Sequence, residues 1–383
     1  MGGGMCQRAT GLTRRQKVPP PATFHNPSPT TPLPHRIPAA GAFACWLGAT
    51  RRANLSGTLP LHTVLRMIRL ASLRRSRPLQ GVQAALRPRA ACVAVVAALA
   101  WGATPLGAQG DPDIFVASLG GGRGAVSVGT PRNVTARPGY DNQPSFSRDG
   151  RTLFYTSTRE DAQADIYRID LASWAITRVT RTAPESEYSA TEVPGGGALS
   201  VIRVERDSAQ RLWRVPLAPD AGEERVYLPA LKPVGYHAWA DDTHLVMFVL
   251  GTPSNLVVGD LTNGRADTVM VNVGRSLHRI PGTNHVSFVS KAYEENWYVM
   301  ELDVATRESR PLAKLPKGTE DYAWLPDGRL VAGSGSKLLV ADPKGSAAWE
   351  QVADLAGAGL TSISRLAVSP NGDRIAIVAI PAK

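Results

Sequence analysis

Residues 143–180, QPSFSRDGRTLFYTSTREDAQADIYRIDLASWAITRVT, contain the pattern that decides the fold. Ser147–Gly150 has the composition of a tight turn, in which glycine supplies backbone angles that other residues resist. Residues 153–155 and 166–169 are β-rich runs with partial alternation, and 174–180 closes the unit. Four short antiparallel strands in under 50 residues predict one propeller blade, which needs neighbours because it cannot bury both of its faces alone.

The same unit recurs along the chain. The turn between its first two strands falls at Gly150, Gly196, Asp242, Gly282, Gly328 and Gly372, at intervals of 46, 46, 40, 46 and 44 residues. An extended apolar strand follows each turn: LFYTS, LSVIRV, LVMFVL, HVSFVS, LVAGS and IAIVAI. A period of about 45 residues is typical of a propeller. A β-sandwich, the alternative all-β fold, would not show this period.

A third strand completes five of the units: DIYRIDL (165–171), RLWRVPL (211–217), NLVVGDL (255–261), NWYVMEL (296–302) and KLLVADP (337–343). The sixth unit stops after IAIVAIP without one, and the missing copy, DIFVASL (113–119), stands at the other end of the repeat region. A fourth strand is expected at 125–128 or 131–135. We therefore predict an all-β, six-bladed β-propeller over 109–383, closed by N-terminal strands that complete the C-terminal blade.

The net charge of +11 belongs to the N-terminal part of the chain. Residues 1–108 hold 14 Lys or Arg and no Asp or Glu, which leaves 29 basic against 32 acidic residues in 109–383. The high pI is therefore no indication of nucleic-acid binding by the propeller, and we expect none. All three cysteines, Cys6, Cys45 and Cys92, also precede residue 109. A disulfide framework, a cysteine-based zinc site and a cysteine nucleophile are thereby excluded for the propeller.

The N-terminal part divides in two. Residues 1–66 are rich in Pro, Gly and Arg without periodicity, so we expect them to be disordered or a spurious extension, with translation beginning at Met67. Residues 67–108 combine a basic stretch, an apolar run at 90–101 and small residues, which predicts a secretory signal peptide. A membrane anchor is the alternative, but it needs about 20 apolar residues. We expect a periplasmic or secreted protein with no stable membrane span after cleavage.

The repeats SFSRDGRTLFYTSTRE (145–160), DIYRID (165–170) and AVSPNGDRIAIVA (367–379) resemble those of TolB-like periplasmic β-propellers, which are WD-like without the WD dipeptide. The resemblance covers residues 111–383 and implies six blades. Only about 30 residues separate the signal from the first full unit, so the separate N-terminal domain of TolB is expected to be absent. The resemblance alone does not imply a role in the Tol–Pal system.

Candidate site residues lie where the first strand of each unit begins, because these strands line the channel of a propeller. Asp141, Glu187, Glu320, Asp321, His237 and His278 could form a cation site at the channel mouth, although no H-x-H or H-E-x-x-H spacing is present and a solvated rim is the alternative. Tyr140, Tyr188, Tyr236 and Tyr322 alternate with charges there and suit peptide or sugar contacts, unless they are inter-blade packing. Trp213, Trp239, Trp297 and Trp324 are expected in the inter-blade core.

These patterns favour a cofactor-free, non-enzymatic binding or scaffold module of the cell envelope. Its partner would be an envelope protein, a peptide or a glycan at the channel mouth. Prolyl-oligopeptidase-type catalysis is excluded for 109–383, because no G-x-S-x-G motif occurs there. A metal-dependent lyase or hydrolase that uses the channel remains the alternative.

Overall fold

The computed structural model describes residues 111–382 except 123, 160 and 161. Twenty-five antiparallel strands and one 3-10 turn, Ala356–Ala358, make up its regular structure. The predictions for 1–66 and 67–108 fall outside these residues. Within them, no helix is long and apolar enough to cross a membrane.

The strands form six sheets, which we number as blades. The chain begins with β1 (Asp113–Gly120), β2 (Ser127–Val128) and β3 (Arg132–Asn133), which belong to blade 6. Blade 1 contains β4 (Asp141–Phe146), β5 (Thr152–Ser157), β6 (Asp165–Asp170) and β7 (Ile176–Arg178). Blade 2 contains β8 (Ser186–Glu192), β9 (Ala198–Val204), β10 (Gln210–Pro216) and β11 (Arg225–Tyr227). Blade 3 contains β12 (Val234–Trp239), β13 (His244–Val249), β14 (Asn255–Asp260) and β15 (Arg265–Val271).

The remaining blades follow the same order. Blade 4 contains β16 (Val273–Arg279), β17 (Val286–Tyr293), β18 (Asn296–Leu302) and β19 (Ser309–Lys314). Blade 5 contains β20 (Tyr322–Trp324), β21 (Leu330–Ser334), β22 (Lys337–Ala341) and β23 (Glu350–Asp354). Blade 6 is completed by β24 (Leu360–Val368) and β25 (Arg374–Pro381). In blades 1 to 5 the first strand lies innermost and the last lies outermost, and in blade 6 β24 lies innermost while β2 and β3 lie outermost.

Ring closure is confirmed. The N-terminal strand β1 pairs with β25 over a continuous register from Asp113↔Ala379 to Ser118↔Arg374. On its other side β1 pairs with both β2 and β3, so both candidate fourth strands form the outer edge of blade 6. The two termini of the repeat region therefore finish one sheet, as the orphan third strand predicted, and the exposed edge of an open array is removed.

The blades pack face to face through their second and third strands. In β5 (TLFYTS) five of six residues are buried, because neighbouring blades cover both of its faces. By contrast, β15 (RADTVMV) on the outer edge has no buried residue. One core cluster joins Ile114 and Val378 of blade 6 to Leu153, Tyr155 and Ile169 of blade 1. Burial on both faces accounts for the continuous apolar runs of the second strands.

The turns that revealed the repeat are tight turns closed by one backbone hydrogen bond. Gly150 N donates to Ser147 O at 2.9 Å, and Gly328 N donates to Leu325 O at 3.0 Å. Gly150 has φ +71° and Gly328 has φ +89°, a region that strains residues with a side chain. The turn near 280–284, whose sequence has diverged, is closed in the same way between Thr283 N and Ile280 O at 3.1 Å.

Candidate functional site

The six innermost strands surround a central channel, which holds a cavity of about 650 Å³ lined by residues of every blade. We call the end at which these strands begin the upper mouth and the end at which they turn the lower mouth. The floor of the lower mouth is formed by the turns, with Pro194, Pro281, Pro326 and Pro370 among the lining residues. Some of the polar and aromatic residues that the sequence predicted at the upper mouth line this cavity, Tyr236 and Asp321 among them.

Equivalent positions of the six blades form one ring in the upper part of the channel, which we call the polar ring. Gln143, Ser189, Arg275, Asp321 and Arg365 each precede the turn glycine of their blade by seven residues, and Tyr236 occupies the same place in blade 3. Sequence reasoning identified only Tyr236 and Asp321 in this ring. The constant offset from the turn glycines is the signal that would have found the others.

Most inner strands are irregular at the polar ring. Register shifts occur between Asn142 and Ser145 in β4 and between Tyr188 and Thr191 in β8, and related shifts interrupt β12, β16 and β24. A β-bulge leaves residues outside the ladder and redirects side chains. Gln143 and Ser189, both inside these shifts, adopt positive φ of 57° and 54°. At these shifts side chains replace the sheet as backbone partners: Gln143 N donates to Asn142 Oδ1 at 2.7 Å, and Ser189 N donates to Gln143 Oε1 at 2.8 Å.

Two residues of the polar ring meet across the channel. Arg365 in blade 6 donates from Nη2 to the Tyr236 hydroxyl in blade 3 at 3.2 Å. The guanidinium carbon lies 5.1 Å from the centre of the same aromatic ring, within cation–π range. Since blades 3 and 6 stand opposite each other in a ring of six, this contact spans the upper mouth.

The other charged residues of the ring form a lateral ion pair. Arg275 Nη2 in blade 4 lies 2.7 Å from Asp321 Oδ2 in blade 5. The neighbouring Glu320 accepts the backbone N–H of Arg275 at 2.6 Å and pairs with Lys291 at 2.9 Å. Two buried polar atoms of the ring have no hydrogen-bond partner, Ser189 Oγ and Arg275 Nε. They could bind a ligand that enters the mouth.

Tyr140 immediately precedes β4, the inner strand of blade 1, and charges from several blades affect the pKa of its hydroxyl. Burial raises the pKa of the Tyr140 hydroxyl to about 12, and the surrounding charges act on it from other blades: Arg365, Tyr236, Tyr188 and Arg275. The residues that affect this one hydroxyl thus come from blades 2, 3, 4 and 6, while Tyr140 itself precedes blade 1. Of the predicted tyrosines, Tyr236 lines the cavity, whereas Tyr188 packs against the core cluster between blades 2 and 3 and, like Tyr140, is not a lining residue.

The fourth tyrosine, Tyr322, belongs to the blade interface. It is 1% exposed, and its hydroxyl donates to Ser287 Oγ of blade 4 at 2.8 Å. The indole of Trp324 donates to the same oxygen at 2.8 Å, and Ser287 donates to the backbone oxygen of His278 at 3.2 Å. The Ser287 hydroxyl therefore donates one hydrogen bond and accepts two, which uses its full hydrogen-bonding capacity. Inter-blade packing, the alternative stated for the tyrosines, describes Tyr322.

His237 occupies the matching position in blade 3. Its Nε2 lies 2.7 Å from Ser200 Oγ of blade 2, and Trp239 Nε1 donates to that oxygen at 2.9 Å. Ser200 Oγ donates to the Thr191 carbonyl oxygen at 3.1 Å, just as Ser287 Oγ donates to the carbonyl oxygen of His278. Because the Ser200 proton is used in this way, His237 fits the arrangement as an Nε2–H donor to the Ser200 oxygen. Burial lowers the pKa of His237 to about 3. The close Ser200–His237 pair is thus a neutral link between blades, in which the serine is fully engaged.

The remaining predicted residues do not converge on one point. Burial lowers the pKa of His278 to about 4, and its ring packs edge-on against Tyr322 at 4.9 Å in the channel wall. Asp141 and Glu187 are fully buried behind the wall and do not line the cavity. Asp141 accepts from Ser157 and Arg137, and Glu187 accepts from Arg203 and Thr182.

Burial raises the pKa of both carboxyl groups, Asp141 and Glu187. Their hydrogen-bonded partners, rather than a ligand, surround them. No three His, Cys, Asp or Glu side chains in the described part of the chain are placed to hold one metal ion. A binding role for the eight predicted residues stays a prediction. Five of them line the cavity, namely Tyr236, His237, His278, Asp321 and Tyr322, whereas Asp141, Glu187 and Tyr188 do not.

No family model matches the sequence, and no curated protein matches it. Solved structures do resemble the fold. A TolB-type protein from Agrobacterium tumefaciens is 16% identical, with a TM-score of 0.54 over 70% of this chain and 99% of its own. TolB from Acinetobacter baumannii is 12% identical, with a TM-score of 0.47 over 71% of this chain and 65% of its own.

An oligogalacturonate lyase in complex with manganese is 18% identical, with a TM-score of 0.44 over 69% of this chain and 78% of its own. At these identities the comparisons concern the fold alone. The chain has the TolB-like, six-bladed β-propeller fold.

Proposed function

We propose that this protein is an exported, non-catalytic binding module whose partner, a peptide segment of an envelope protein, docks at the upper mouth of the propeller. The export step rests on the signal-peptide pattern of residues 67–108. The binding step rests on the side chains that the blades bring to this mouth.

The observation that carries the proposal is the meeting of a tyrosine and an arginine from opposite blades at one opening. Arg365 reaches across the channel to Tyr236 and contacts it by a hydrogen bond and a cation–π interaction. Tyrosine and arginine are the residue types that most often dominate binding energy at protein interfaces. Tyrosine offers a large contact area with few rotatable bonds, so its ordering on binding costs little entropy.

The frame behind these residues is rigid. Tyr236 extends from β12, whose strand partner β13 is mostly buried between blades, and its ring packs against Phe248 at 5.9 Å. A preformed mouth of this kind needs little reorganisation when a partner binds.

The test is co-purification from envelope extract of the producing cells, with the protein expressed as its full chain. We expect a partner to be retained by the wild type and lost with Tyr236→Ala. Tyr293→Ala is the matched control, because Tyr293 is 67% exposed at the end of β17 and is not part of the channel lining. Retention of the same partner by Tyr236→Ala, or its loss with Tyr293→Ala, contradicts the proposal.

A further inference from the structure

The charge of Arg365 has no partner of opposite sign. Among the described residues, no Asp or Glu forms an ion pair with it, whereas Arg275 of the same ring is paired with Asp321 at 2.7 Å. Within that part of the chain, the Arg365 side chain makes one hydrogen bond, to the neutral phenol of Tyr236. Because the side chain is half-buried, part of its hydration is lost without a compensating charge.

The hydrogen bond to Tyr236 leaves donors available. The Tyr236 oxygen accepts from Arg365, so its own hydroxyl proton has no acceptor among the bonds of the described residues. The buried hydroxyl of Ser189, in the same ring, has no hydrogen-bond partner among the described residues. A guanidinium edge and a phenol O–H at one place are the donors that a carboxylate accepts.

The charge of the mouth selects the charge of the ligand. Arg275, Lys291 and Arg365 carry three positive charges, and Glu320 and Asp321 carry two negative ones, which leaves one uncompensated positive charge. One monoanion neutralises it. By contrast, the propeller region as a whole is slightly acidic, with 29 basic and 32 acidic residues, so this positive charge is local to the channel.

We propose that Arg365 and Tyr236 form a receptor for a single carboxylate of the bound peptide, which takes the place of their mutual hydrogen bond across the upper mouth. This inference rests on the proposed function and adds the chemistry of the occupant. The peptide's carboxylate accepts from the guanidinium of Arg365 and from the Tyr236 hydroxyl, while the tyrosines around the mouth contact the adjoining residues.

The test uses three peptide probes and follows the Arg365 Nε–H resonance of the full chain by NMR, assigned by its absence in Arg365→Lys. The probes are N-acetyl-trialanine with a free carboxylate, its C-terminal amide, and N-acetyl-Ala-Glu-Ala amide. We expect a saturable shift with at least one of the two carboxylate peptides and none with the amide. Which of the two gives the shift separates a chain terminus from an acidic side chain as the source.

The control follows the same resonance of Arg148, an exposed arginine at the lower mouth, which should not shift saturably. The inference is overturned if all three peptides shift the Arg365 signal alike, or if none does. It is also overturned if inorganic phosphate or D-glucuronate binds Arg365 more tightly than either carboxylate peptide. None of these results decides whether Tyr236→Ala loses the partner, so the proposed function fails or stands separately.

Discussion

Arg365 and Tyr236 are 129 positions apart in the chain and belong to opposite blades, yet their side chains meet 3.2 Å apart across the channel. Arg365 lies on β24, which belongs to the sheet that β1 completes through its pairing with β25. The contact joins one charged residue, without a counter-ion among the described residues, to a tyrosine that lines the channel. Stability and the proposed binding therefore depend on the same ring of blades.

Closure by β1 should carry much of the stability. Ile114 is 0% exposed and packs between blades 6 and 1, so Ile114→Ala should lower the free energy of unfolding by about 2–5 kcal/mol. Ile176→Ala is the matched control, because Ile176 on the outer strand β7 is 39% exposed and should cost less than about 1 kcal/mol. Urea denaturation followed by circular dichroism measures both. Equal costs for the two variants would argue against closure by β1.

Ser287 should be a critical residue of the interface between blades 4 and 5. Ser287→Ala leaves the buried Tyr322 O–H and Trp324 N–H without an acceptor, which should cost about 2–5 kcal/mol of unfolding free energy. In the Ser287→Ala background, Tyr322→Phe should cost at least about 1 kcal/mol less than in the wild type, because its hydroxyl no longer has a partner to lose. Additive costs in this double-mutant cycle would refute the shared acceptor.

His237 should make stability fall in acid. Its pKa is about 3 in the folded protein against 6.5 in an unfolded chain, since burial disfavours the charged imidazolium. Below pH 6.5 the unfolded state binds a proton that the folded state does not. This lowers the free energy of unfolding by about 1.4 kcal/mol per pH unit. The contribution is complete above pH 6.5 and is lost progressively down to about pH 3.

The pH dependence is tested by comparing wild type with His237→Gln in urea at pH 7.5 and pH 5.0. Glutamine keeps a donor for Ser200 but does not titrate in this range, so the variant should lose about 2 kcal/mol less than the wild type on acidification. Parallel losses in the two proteins would show that His237 is protonated in the folded state, contrary to its position between blades.

The two arginines of the polar ring should respond differently to neutralisation. Arg275→Gln leaves Asp321, 11% exposed, without its ion-pair partner and should cost about 1–2 kcal/mol of unfolding free energy. Arg365→Gln removes a half-buried charge that has no counter-ion, so it should leave the stability unchanged or raise it by up to about 1 kcal/mol. Thermal unfolding at low and high salt separates them, and a larger loss for Arg365→Gln would contradict the uncompensated charge.

The sequence predicted the frame of the molecule well, for a physical reason. Turn glycines such as Gly150 and Gly372, and third strands such as 113–119, are local signals that each blade must repeat. The position of His237 could not be read in the same way. Its equivalent in blade 5 is Tyr322. Each of the two residues contacts a serine of the preceding blade, Ser200 for His237 and Ser287 for Tyr322, and only these contacts show that both have the same role in packing.

Arg365 escaped detection because nothing near it in the chain is unusual. It lies in the strand LTSISRLAV, where an arginine among alternating residues indicates a solvated face. Its significance comes from Tyr236 on the opposite blade and from the missing carboxylate, and neither is visible along the sequence. The constant offset from Gly372 would have placed it in the ring, but the asymmetry of charge around that ring is a property of the assembled fold.

The most direct measurement is site-specific photo-cross-linking in producing cells, with benzoylphenylalanine at position 236 of the upper mouth or at position 326 of the lower mouth. Both positions line the same channel. Binding at the upper mouth predicts one discrete adduct from position 236 that weakens with Arg365→Gln, and none from position 326. The same adduct from both positions, or an adduct from position 326 alone, would contradict binding at the upper mouth.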